Sequence, residues 1–200
     1  MERQNRMRDG RAFLNTSENN QRSSLFSVQD PSTSPPFAIF YNIYIPTELD
    51  KETIEQSLAI VDDQMAQVGA SYAASYKNKP VNVFYNTVGK RGVLIDQYMA
   101  LVCSDRSNMR CLHMDHYDEG FEDLTLQRVY DYCQTHREPG HQIIYMHNKG
   151  SFHPGGENHW WRRHMTLAVT DKKCLVNPAN NTCNTCGLVF FGVWAMMYPG

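Results

Sequence analysis

The sequence predicts an α/β domain built on a mostly parallel sheet with flanking helices. Three observations carry this. Residues 37–45 (FAIFYNIYI), 81–85 (VNVFY) and 142–146 (QIIYM) are short apolar runs rich in β-branched and aromatic residues, the composition of buried strands. Longer stretches with apolar residues at helical intervals separate them. The resulting β, α, β order favours parallel pairing through crossover helices.

Taken in chain order, residues 1–36 read as a disordered polar tail, rich in Asn, Ser and Arg and closed by the Pro31–Pro36 cluster. Such a composition cannot bury enough apolar surface to offset the entropy of ordering. A single α/β domain is expected over residues 37–200. Pro46 ends the first strand. A helix follows from about Glu48 to Val68. Thr47 to Asp50 has capping-box spacing, Ile54, Leu58, Val61, Met65 and Val68 recur on one face, and Gly69 stops it. The second strand, 81–85, runs into Asn86-Thr87-Val88-Gly89. Residues 93–103 fit a strand and a helix equally. Residues 110–114 read as a short strand ending at Asp115-His116. Glu122 to Arg137 reads as a helix with Leu126, Val129, Tyr130 and Cys133 on one face, ended by Pro139-Gly140. The strand at 142–146 and a helix over 158–170 complete the alternation. The chain stops at Gly200, directly behind the apolar run 188–197, the pattern expected of a domain incomplete at its C-terminal end.

The formal net charge of −2 gives no electrostatic reason to expect nucleic acid or an anionic membrane as partner. No run reaches the roughly 18 apolar residues of a membrane helix, and residues 1–21 lack the apolar segment of a secretory signal. The six cysteines suit disulfides in an oxidising lumen, such as the Golgi, or buried thiols in the cytoplasm. Cys183 and Cys186 form a CxxC without a second pair, better read as a disulfide or structural thiols than as a zinc site.

The densest functional signal is the strand end His147-Asn148-Lys149-Gly150. Open α/β sheets bind ligands outside the carboxyl ends of their strands. Lys149 supplies a compact charge for phosphate, His147 a donor or base, and Gly150 close backbone approach. Trp160-Trp161-Arg162-Arg163-His164 follows on a helix, where one Trp is expected in the core and the two Arg cannot both face inward. His113-Met114-Asp115-His116 resembles a metal cluster, although strand alternation puts His113 and Asp115 on one face and His116 on the other. No Gly-rich phosphate loop or nucleophile elbow is present.

FYNIYIP (40–46), FYNTVGK (84–90), YMHNKGSFHP (145–154), WWRRHM (160–165) and Cys183-Asn184-Thr185-Cys186 occur in one order. That order resembles a family of glycosyltransferase-like proteins abundant in microalgae such as diatoms. The His-x-Lys-Gly and Trp-Arg helix are also similar to the central segment of some bacterial glycan-synthesis proteins. The resemblance implies a nucleotide-sugar-transferase fold (GT-A-like) and sugar transfer from a nucleotide sugar to a glycan or protein acceptor. Lys149, Arg162 and Arg163 would then offset diphosphate charge, and His147 would bind phosphate or act as base. Asn42, Tyr44, Asn86, Thr87, Asn148 and Gly150 would line the nucleotide. Asp115 would serve as catalytic carboxylate and as ligand to a Mn or Mg ion. Two alternatives belong to other classes. One is a noncatalytic sugar- or nucleotide-binding module, favoured by the lack of an Asp-x-Asp pair. The other is a zinc hydrolase built on His113, Asp115, His116 and nearby histidines.

Overall fold

The computed structural model describes residues 35–45, 51–89, 92–136, 141–148 and 155–176. The elements are β1 (Phe37–Tyr44), α1 (Lys51–Gly69), α2 (Tyr72–Ser75) with a 3-10 turn (Tyr76–Asn78), β2 (Val81–Val88) and α3 (Gly92–Ser104). Then come β3 (Met109–Tyr117), α4 (Asp123–Thr135), β4 (Gln142–His147), α5 (Gly156–Val169) and α6 (Lys172–Val176). Four strands form one parallel sheet in the order β3-β2-β1-β4. The expected α/β class with a parallel sheet and flanking helices is the one observed. The first tail residues, the capping box at 47–50, the loop 149–154 and residues 177–200 lie outside the described residues. Among the described residues no helix is long and apolar enough to cross a membrane.

Residues 93–103, ambiguous in sequence, lie in α3. Parallel β2 and β3 need a crossover between them, and a helix supplies it. The chain steps from β1 to β2 to β3 in one direction, then returns past β1 to β4. Right-handed crossovers therefore place α1 and α3 on one face and α4 on the other. Burial agrees. Phe37, Ile39, Tyr41, Ile43 and Ile45 pack with Val61, Met65, Val68, Met99 and Val102 on the first face. Ala38, Phe40, Phe84, Met114 and Tyr132 pack on the second.

Two helices bury a different stripe from the apolar one. In α4 the buried residues are Thr125, Arg128 and Tyr132, while Leu126, Tyr130 and Cys133 are exposed. In α5 they are Arg162 and Thr166; Trp160 is exposed and Trp161 half-buried, so neither Trp is fully in the core. Buried polar partners explain both cases: Thr125 bonds Asn42 and Asn86 and Arg128 pairs with Asp115 on the strands, whereas Thr166 bonds Gln64 of α1 and Arg162 meets His159 of its own helix.

Gly89 closes the top of β2. Its N–H donates to Tyr117 O at 2.8 Å, and Val88 O accepts from Ile45 N at 2.9 Å. Its φ of +115° and the pressing of Ile45 O onto its Cα leave no room for a Cβ. A disulfide between Cys103 and Cys111 ties the end of α3 to β3, and Cys174 is also disulfide-bonded.

Candidate functional site

The strand order reverses between β1 and β4. It is in the crevice outside the carboxyl ends of strands at such a reversal that α/β sheets take ligands. Tyr44, His147 and Asn148 stand at its edge. Buried Asn148 accepts from Tyr44 N at 2.8 Å through Oδ1 and donates to Tyr44 O at 2.6 Å through Nδ2. Its own N–H donates to Asn42 O at 3.3 Å. Asn148 thus extends the ladder beyond the strand end and locks the spacing of the crevice walls.

Below the crevice, on the α4 face, runs a chain of buried hydrogen bonds. Asp115 N donates to Asn86 Oδ1 at 3.1 Å, and Asn86 Nδ2 donates to Thr125 Oγ1 at 3.0 Å. The Thr125 hydroxyl then donates to Asn42 Oδ1 at 2.8 Å. Asn42, Asn86 and Thr125 are all buried. The two Asn expected to touch a nucleotide thus act from behind the wall, holding β1, β2, β3 and α4 in register. Thr125 was not singled out by sequence.

His147 projects to this same face. Its Nδ1 lies 3.1 Å from Glu122 Oε1. Glu122 occupies the N-cap position of α4 but makes no side-chain cap bond. The Tyr145 ring meets the His147 ring edge-on with centroids 6.0 Å apart. The Tyr145 hydroxyl is buried and has no hydrogen-bond partner among the described residues. Burial raises the ionisation of its phenol well above the usual range, and the charge of Glu122 adds to this. Tyr145 therefore stays a neutral donor.

Gln64 anchors the opposite face. It accepts from Tyr41 Oη at 2.9 Å and donates to His147 O and to Thr166 Oγ1, each at 3.2 Å. One buried side chain on α1 thereby positions β1, the end of β4 and α5. Arg162 is buried here, with Nη2 3.1 Å from His159 Nδ1. Burial pulls its guanidinium below the ordinary value, opposed by the charges of Asp63 and Tyr41. Arg163 is exposed. The two Arg divide as helical spacing requires, one inward and one outward, and Arg162 lies across the sheet from the His147 side chain. Lys149 and Gly150 lie outside the described residues.

A β-bulge between Tyr85 and Thr87 corrects the alternation expected for 113–116. His113 Nε2 and His116 Nδ1 both approach Thr87 Oγ1, at 3.4 and 2.9 Å. Asp115 turns instead to α4, where it pairs with the buried Arg128 and accepts from Tyr117 Oη at 3.1 Å. The extra residue inverts the facing of everything beyond it. Asp96 binds the Tyr85 hydroxyl and lies 3.6 Å from His113 Nδ1. His113, Asp115 and His116, the named side chains of the zinc reading, therefore do not converge. Among the described residues no three His, Cys, Asp or Glu side chains are grouped to hold a metal. Asp115, neutralised by Arg128, does not by itself fit a divalent cation.

The family model for a domain of unknown function, DUF8361, matches residues 40–200. The chain belongs to the DUF8361 family. The match covers every element described above from within β1 onward. The chain matches no curated protein and no solved structure.

Proposed function

We propose that this DUF8361 protein is a glycosyltransferase-like enzyme that takes a nucleotide sugar at the β1–β4 crevice. The observation that carries the reading is the convergence of Tyr44, His147 and Asn148 at the one place where strand order reverses. The diphosphate would lie over the loop that begins at Lys149, with Arg162 adding positive charge from below. His147 takes the proton of an acceptor hydroxyl as its oxygen attacks the anomeric carbon. The sugar–diphosphate bond breaks and the nucleoside diphosphate leaves with the electron pair. The donor set around Asp115 does not fit Mn or Mg, so no step here runs through a metal. The Cys103–Cys111 disulfide favours an oxidising lumen over the cytoplasm.

A noncatalytic nucleotide- or sugar-binding module is the second reading. It is favoured by Asn42, Asn86 and Asn148, whose side chains are spent on the scaffold. A panel of nucleotide sugars separates the two. Donor binding with release of the nucleoside diphosphate supports the enzyme, binding without release supports the module, and no binding by any donor rejects both.

A further inference from the structure

We propose that Glu122 is a positioning residue that fixes the tautomer of His147, so that the pair works as a carboxylate–imidazole dyad. The inference rests on the reading of His147 as the proton acceptor above. Three observations carry it. Glu122 Oε1 lies 3.1 Å from His147 Nδ1, hydrogen-bond distance for a ring N–H donating to a carboxylate. Glu122 sits at the N-cap of α4, yet its carboxylate makes no cap bond and is directed to β4 instead. Its backbone is fixed, because Glu122 O accepts from Thr125 N and Leu126 N, each at 3.0 Å.

A carboxylate only accepts at neutral pH, so the contact requires the proton on Nδ1. That leaves the lone pair of His147 on Nε2, the nitrogen able to take a proton from an acceptor hydroxyl. Once Nε2 is protonated, the positive ring faces the negative carboxylate and is stabilised by it. The positive end of the α4 dipole keeps a charged carboxylate at that position favourable. Tyr145, projecting from the same face two residues earlier, brings a buried, unpartnered hydroxyl beside the dyad. Sequence shows none of this, since Glu122 reads as an ordinary helix start.

The test is two-bond proton–nitrogen NMR on the full chain, comparing wild type with Glu122→Gln. The expected wild-type signature is His147 neutral with the proton on Nδ1. In Glu122→Gln the Nε2-protonated form should rise to a comparable share, at an unchanged melting temperature. A wild-type proton on Nε2 overturns the dyad, as does a tautomer ratio that Glu122→Gln leaves unmoved. His147→Ala separates this from the parent reading. If donor turnover survives that substitution, His147 is not the base, while the tautomer spectra still decide the dyad.

Discussion

On the face covered by α1 and α3, Phe37, Ile39, Tyr41, Ile43 and Ile45 of β1 enter an apolar layer closed by Val61, Met65 and Val68. On the face covered by α4 the same strand presents Ala38, Phe40 and Asn42, and the helix buries Thr125, Arg128 and Tyr132. The first face draws its cohesion from apolar burial and close packing. The second replaces part of that with a polar network through Asn42, Asn86, Thr125 and Asp115, whose worth depends on every member being satisfied. The polar face is also where His147 and Glu122 stand.

The largest expected effect lies on the apolar face. Met65 is fully buried, and Met65→Ala should cost about 2–5 kcal/mol in urea denaturation. Ligand affinity, measured where the variant stays folded, should not change. On the polar face, Asp115→Asn leaves Arg128 buried against a neutral partner. Because Asp115 is partly exposed, the loss should be about 2 kcal/mol, below that of a fully buried broken pair. An unchanged melt would mean that Asp115 is free for chemistry and is not an anchor. Thr125→Val keeps the shape but removes the hydroxyl joining Asn86 to Asn42, and about 1–3 kcal/mol should be lost. Tyr145→Phe should do least to stability, with the melt unchanged or slightly raised, because its hydroxyl has no bond to lose. A fall of more than about 1 kcal/mol there would reveal a structural partner.

The sequence exposed the apolar face well and the polar face poorly. The run FAIFYNIY could only be a buried strand, and the Ile54 to Val68 stripe located the inner side of α1. Gln64 lies on that stripe, three residues after Val61 and four before Val68, so a polar residue at a core position was a readable signal that passed unused. In α4 and α5 hydrophobic periodicity pointed to the wrong stripe, because Thr125 and Arg128 find partners on distant strands and Thr166 finds one on α1, which no local pattern encodes. The bulge in β3 opposite Asn86 was equally hidden. One extra residue turned Asp115 away from His113 and brought His113 and His116 together. The placing of His147 at the crevice followed from strand-end logic alone. Its pairing with Glu122 needed the return crossover through α4, which sequence order does not specify.

The β1–β4 crevice is proposed to bind a nucleoside diphosphate group. Calorimetric titration with uridine and guanosine diphosphates tests it most directly, run on wild type, His147→Ala and Lys149→Ala with a thermal melt of each. The predicted result is binding of at least one diphosphate by wild type. Each substitution should weaken it by about 1.5–3 kcal/mol, roughly ten- to a hundredfold, while the melts stay in place. Binding by neither diphosphate, or binding that both folded variants retain in full, would contradict the claim.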